Sequence, residues 1–512
     1  MEVKGSGLDA GATERSHLDT GAVVAPADRT DLQENAIGLL PGIIYNMASA
    51  APGQVLAVSL FALVAASAYG GIADMFLCGL ASLCIAIAYQ RLNLWKQNAG
   101  GAYAWVSRGI NPYLGFMVGW AMIAGWFVGT LVDVVTMGPA TLGLLDINTS
   151  SQWGATIAAV VLGTGVTWLT MRGIKLGARV QLTMAAIEYL ILLVFSGIAI
   201  AWVLGNHAGT LQPSWDWLNP SGISGRGIGG GAGAISAGIL VSVFWLAGWE
   251  CSIYLNEETE QPEKKPGQAA VLGVIILTVF YMFLIFAFQG TVPRGQLKGH
   301  SENIVSYAAT QMTGTAGGRV AAFAIFLSVI ATTQGFLVGT VRIGYSMARD
   351  RVIPSMFGQV SKHKVPSLAA LLFGGACVIL TVVYVWVSSV AGSIDDLIST
   401  FAILFAIFYA ASALTVVWYY RRRVFSSPKE VVMTGVLPII GAAVLGWAGV
   451  KSIIELQGGA VTALWIIVGL GVLMMFIAAV VWRSPVFRLK PEVAPALGDE
   501  HAAEATGGGG HV

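Results

Sequence analysis

Charge is the scarcest ingredient of this chain. Only 11% of its 512 residues are Asp, Glu, Lys or Arg, against about 25% in soluble domains. That scarcity excludes an ordinary water-soluble fold. The net charge of +1 offers no basic surface for nucleic acid. Cysteine is rare as well. Cys78, Cys84, Cys251 and Cys377 all fall in apolar runs, so they read as small packing residues rather than disulfides or metal ligands. The six histidines lie mostly in presumptive loops and tails, and no His-Glu-x-x-His or Ser/His/Asp set occurs. An enzyme is therefore not expected, nor a metal or cofactor. The run Gly229-Gly230-Gly231-Ala232-Gly233 lacks the Lys-Ser/Thr pair that a phosphate loop needs. Residues 1–34 are polar and acid-rich, without the short apolar core of a cleavable signal.

What the chain has is hydrophobic residues, 56% of the total. About 20 apolar residues span a bilayer as a helix. Divided at charged or turn-rich points, the runs predict twelve spans: 36–66, 70–91, 113–145, 152–171, 180–204, 232–256, 269–290, 319–347, 367–390, 396–420, 431–452 and 460–482. With the amino terminus inside, alternation places 22 Lys/Arg in inner segments and 5 in outer ones. The positive-inside rule then puts both termini in the cytoplasm. The expected location is a plasma or bacterial inner membrane. The 64 glycines suit close helix packing. The Ala/Gly/Glu-rich stretch from Pro491 to Val512 reads as disordered.

Two of these spans carry interruptions. Asn46-Met47-Ala48-Ser49-Ala50-Ala51-Pro52-Gly53 breaks the first, and Phe244-Trp245-Leu246-Ala247-Gly248-Trp249-Glu250 breaks the sixth. Non-helical backbone and a carboxylate inside a membrane are costly, and are tolerated where they line a cavity or have a task. Paired broken helices, one in each half of a many-span chain, point to a transporter's substrate site. Between the second and third spans, Asn93 to Arg108 is amphipathic and rich in aromatics. It reads as a helix at the membrane interface, with Trp and Tyr at headgroup depth, or as a lining of the inner mouth.

The segment Gly100-Gly101-Ala102-Tyr103-Ala104-Trp105, followed by Arg108, Gly115-Phe116 and Gly119-Trp120, resembles the third-helix signature of the amino acid–polyamine–organocation permeases. Further likenesses follow in order: Arg172-Gly173-Ile174-Lys175 to Gln181, Gly248-Trp249-Glu250 with the loop to Pro262, and Arg342 to Pro354. The resemblance covers roughly residues 36–425. It implies the leucine-transporter-type fold, an all-α membrane protein of about twelve helices. Five helices (36–205) are related by inverted topology to the next five (206–425). Two helices follow (426–484), with tails at 1–35 and 485–512.

For an amino acid substrate, the N–H groups and positive dipole end of a broken helix suit the carboxylate. Ala48, Ser49, Ala50, Ala51 and Gly53 are small enough to admit a ligand to the main chain, and Pro52 promotes the break. A plain kink without ligand is the alternative. Carbonyls near Phe244, Trp245, Ala247 and Gly248 are candidates to accept from the ammonium, with Phe244, Trp245 and Trp249 covering the ligand or simply packing. Glu250 is a candidate proton carrier, because burial disfavours the charged form of a carboxylate, or a structural acid. Glu188 stands where many relatives implied by the resemblance have a lysine. It is expected to carry the coupling proton, to pair with a cationic substrate or ion, or to be a satisfied buried acid. Asp133 is expected at the interface rather than in an outer vestibule. Thr332 and Thr333 lie where relatives place sodium ligands, but threonines commonly bond their own helix. The expected function is a proton-coupled transporter of an amino acid or related amine. A polyamine transporter, an exchanger and, remotely, a ligand sensor are the rivals.

Overall fold

A computed structural model describes residues 31–495 apart from 146, 148–150, 221–230, 294–295, 297–298, 300–303, 388–389 and 457–458. Helices dominate, and no strand occurs among the described residues beyond an isolated backbone bridge between Ile37 and Thr259. Among the described residues eleven helical segments, the first of them broken in two, are long and apolar enough to cross a membrane. The sixth expected span is divided into α8 (Gly231–Leu246) and α9 (Cys251–Tyr254), each too short to cross alone. The first is divided into α1 (Leu39–Ser49) and α2 (Pro52–Ser67), with Pro52 at the first helical position of α2. There the missing N–H costs nothing.

The remaining helices are α3 (Gly71–Trp95), α4 (Ala102–Gly109), α5 (Pro112–Leu144), α6 (Gln152–Thr170) and α7 (Ile174–Leu204). Then come α10 (Lys265–Phe288), α11 (Ile304–Arg349), α12 (Ser367–Val387), α13 (Val390–Tyr419), α14 (Pro428–Glu455) and α15 (Gly459–Val481). The eighth expected span, 319–347, begins earlier than its composition suggests. Helix α11 starts at Ile304 and bends at Gly314, whose φ of 79° only glycine adopts readily.

Burial separates centre from rim. In α5, 83% of the apolar window is buried by protein, and in α15 only 17%. On rim helices large apolar side chains such as Ile157, Leu190, Val279, Ile379 and Val481 point outward. That pattern suits a lipid solvent rather than water. The broken helices are central: α1 packs against α7, α10 and α11, and α2 against α8 and α11.

The end of the bundle rich in Lys and Arg is closed by ion pairs. Arg342 Nε and Nη2 donate to Glu258 at 2.9 and 3.1 Å, both side chains essentially unexposed. Arg108 Nη2 lies 3.1 Å from both oxygens of Asp350, and Tyr103 Oη donates to the same carboxylate at 2.8 Å. Burial and that carboxylate push the Tyr103 phenol above its usual range, so it remains the donor. Arg349 grips Glu257, whose Oε1 also accepts from the Ala99 N–H at 2.9 Å.

Two expectations are corrected here. All eight residues of α4 are buried in protein, so Tyr103 and Trp105 pack against protein rather than lipid headgroups. The segment 485–495 is not loose. Glu492 and Ala494 donate backbone N–H groups to the carbonyls of Arg108 and Tyr419 at 2.7 and 3.0 Å. Phe487 packs on Tyr113 and Phe116. Those contacts outweigh the segment's disorder-prone composition. Residues 496–512 lie outside the described residues.

Candidate functional site

Between α1 and α2 the chain turns through Ala50 and Ala51, the latter in the left-handed region at φ 50°. Non-glycine residues pay for that conformation, so the surroundings must hold it. They do so from three helices. Tyr281 Oη of α10 donates to the Ala50 carbonyl at 2.5 Å, and Tyr189 Oη of α7 donates to the Met47 carbonyl at 3.1 Å. Thr332 Oγ1 of α11 donates to the Ala48 carbonyl at 3.4 Å. Asn46 ties α1 to the second break: its Oδ1 accepts from the Ser252 N–H at 2.7 Å, and its Nδ2 donates to Ser252 Oγ and the Ala269 carbonyl, each at 3.0 Å.

The second break turns at Gly248, φ 112°. A Cβ placed there would lie 2.7 Å from the Ser49 carbonyl carbon and 2.9 Å from the Ala50 nitrogen. The two breaks therefore touch, backbone against backbone, and glycine is required both for the angle and for the approach. Trp245 Nε1 donates to Ser59 Oγ of α2 at 2.7 Å and pins α8 to α2.

Carboxylates converge on this junction. Glu188, near the middle of α7, is wholly buried, and its Oε1 accepts from the Gly53 N–H at 2.9 Å. Glu250 is also wholly buried, near Tyr254 Oη at 3.5 Å and beside Tyr89 and Tyr409. Asp133 of α5 accepts from Gln54 Nε2 at 2.7 Å. Each of the three keeps one oxygen without a hydrogen-bond partner among the described residues. Such groups are costly unless something binds them.

The amino acid permease family model matches residues 42–480, most of the chain. The chain belongs to the amino acid permease family. It is similar to the serine/threonine exchanger SteT of Bacillus subtilis, 27% identical over 62% of this chain and 66% of that protein. It is similar to the arginine/ornithine antiporter of Latilactobacillus sakei, 23% identical over 66% and 70%. The low-affinity putrescine importer PlaP of Escherichia coli K12 is 24% identical over 91% of this chain and 98% of its own. These proteins are transporters rather than enzymes.

In this permease the residues expected at the site come together in part. Ser49, Ala50, Ala51, Gly53 and Gly248 meet at the junction, with Glu188 and Glu250 beside it. Their small size, however, admits protein. Gly53 is approached by the Glu188 carboxyl and Ser328, Ser49 and Ala50 by Gly248, and Ala48 packs on Ala185 and Ala331. Of the carbonyls near the second break, that of Gly248 accepts from the Cys251 N–H at 3.1 Å. The aromatics face other rings: Phe244 on Phe401, Trp245 on Tyr281, and Trp249 between Tyr89 and Tyr409. Asp133 does not reach the interface, because the Gln54 bond holds it inside with 2% exposure. Thr333 does bond its own helix, at the Val329 carbonyl, 2.7 Å away.

Sequence reading passed over Gln54, Asn46, Ser328 and Asp74. Asp74 is fully buried beside Ser67, and among the described residues neither of its oxygens has a partner in good hydrogen-bond geometry. Its signal was weaker than that of Glu188, because Asp74 lies in the first turn of α3, where an acid is ordinary.

Proposed function

We propose that this permease is a secondary transporter that moves an amino acid or related amine across the membrane by alternating access, with protons as the coupling ion. The observation that carries the reading is the contact between the two helix breaks, Gly248 against Ser49 and Ala50, with Glu188 and Glu250 buried beside it. Irregular backbone and unpaired acids at membrane depth are retained where a ligand or ion passes.

A buried carboxylate without a cationic partner can take and release a proton as the two states exchange, and Glu188 and Glu250 are the candidates. The ion pairs at the basic end, Arg342–Glu258 and Arg108–Asp350, would form the closed inner gate, which must part for release on that side. The reading keeps the basic end and both termini in the cytoplasm, in the plasma or inner membrane. It also keeps the five-plus-five inverted repeat with two helices after it.

The test is uptake of a mixed amino acid and polyamine panel into proteoliposomes, with and without an inward proton gradient. Gradient-stimulated accumulation is expected. Transport only against a loaded counter-substrate would make the protein an exchanger. Binding without transport would sink the proposal in favour of a sensor.

A further inference from the structure

We propose that the basic end of the bundle holds an anionic phospholipid. Its phosphate headgroup sits in a cavity between α3, α10 and α14, and an acyl chain lies along the outer face of α3. The site is separate from the helix breaks and does not depend on which compound is transported.

Glycine sets α3 deep between its two neighbours. A Cβ at Gly79 of α3 would lie 2.2 Å from Thr278 Cγ2 of α10, and one at Gly267 of α10 would lie 2.8 Å from the Gln90 Cα. On the other side, a Cβ at Gly441 of α14 would lie 2.7 Å from Ile85 and 3.0 Å from the Ala81 carbonyl oxygen. Without side chains at these points the backbones approach closely. Protein buries 67% of the apolar window of α3, against 50% in α10 and 39% in α14. Helix α3 is therefore the floor of a groove, and the other two are its walls. Along the floor Phe76, Leu80, Leu83 and Ile87 recur at helical spacing and share one face. Phe76 and Leu80 are exposed, and the other two half-buried.

At the basic end this stripe runs into a cavity of about 390 Å3. Arg91 of α3, Lys264 at the N-cap of α10 and Lys429 in the first turn of α14 line it, together with Gln90 and Gln268. No carboxylate lines it. Arg91 lies 3.4 Å from Glu430, and among the described residues neither lysine forms an ion pair. The wall from α14 is locally irregular: Val431–Val436 are π-helical, and Met433 of that stretch faces the cavity. Such turns are frequent at functional sites.

Three cations from three helices repel one another unless an anion lies among them. Phosphate oxygens accept from ammonium and guanidinium groups and from amides, which suits this lining. Basic pockets between membrane helices are the common seats of anionic headgroups. A free phosphate would use the cations alone, whereas a phospholipid also covers the apolar stripe.

The test is native mass spectrometry of the full chain, titrated with phosphatidylglycerol or with phosphatidylcholine of the same acyl chains. One phosphatidylglycerol is expected to be retained with about tenfold or higher preference, the scale of two cations at a membrane surface. Lys264→Gln/Lys429→Gln, at two exposed positions, is expected to remove that preference. Lys175→Gln/Lys362→Gln removes two exposed cations outside the cavity and is expected to keep it. Equal loss in the two variants would make the preference a matter of overall charge and overturn the proposal. Equal retention of both lipids by the unaltered chain would overturn it as well. Inorganic phosphate displacing the phosphatidylglycerol, and binding with the same dependence on Lys264 and Lys429, would show a free-anion site and overturn the lipid assignment.

Discussion

At the basic end Glu257, Glu258 and Asp350 each face a guanidinium at hydrogen-bond distance. At the helix breaks Glu188, Glu250 and Asp133 face backbone N–H groups, an amide and phenols, and no cation. The residue type is alike, and Glu258 and Asp350 are buried as those three are, but the partners differ. A carboxylate matched by Arg at about 3 Å has much of its desolvation offset within the protein, so in this conformation it needs no further partner. A carboxylate left with one bare oxygen is a standing cost. On the proposed function, a visiting proton accounts for its retention beside irregular backbone.

That contrast can be broken most forcefully at the paired end. Arg342→Ala leaves Glu258 buried and unmatched, and is expected to cost about 3–5 kcal/mol. A large drop in thermal unfolding temperature in detergent, relieved in the Arg342→Met/Glu258→Leu double variant, is the expected result. Next in size, Gly248→Ala must force a Cβ into the Ser49 carbonyl at a φ of 112°. It is expected to cost roughly 1–3 kcal/mol and to abolish uptake while the protein still purifies as a monodisperse peak.

Glu188→Gln sharpens the comparison from the other side. The amide oxygen still accepts from Gly53, so stability should change by only about 1 kcal/mol or less. Uptake, by contrast, should lose its stimulation by a proton gradient. Full gradient-driven uptake in that variant would remove Glu188 from coupling. The smallest effect on transport is expected from truncation after Lys490. It removes the strap bonds of Glu492 and Ala494, worth about 1 kcal/mol each, and should speed exchange across the basic end slightly, measured as counterflow. A loss of folding instead would make the strap a core element.

Much of this was legible from composition. The spans follow from apolar length, and the breaks from Pro52, Gly53 and Gly248 within apolar runs. Glu188 and Glu250 stand out because charge is so rare around them. What was not legible is partnership. Nothing local to Gly53 says that its close neighbour is a glutamate 135 residues on rather than a ligand. Nothing in the aromatic pattern of Asn93 to Arg108 separates a headgroup belt from a helix wedged inside the bundle. Asp133 was misplaced because depth along a span does not tell which face meets Gln54.

The sequence by itself determined the solvent, the rough limits of most of the long helices, and where two spans must break. These depend on hydropathy and on backbone chemistry, which act over a few residues. Only the tertiary structure decided which donors at the breaks are taken, which acids are matched by arginine, and which keep a bare oxygen. Those outcomes depend on side chains that distant helices bring within 3 Å, and the chain's local pattern does not encode that distance.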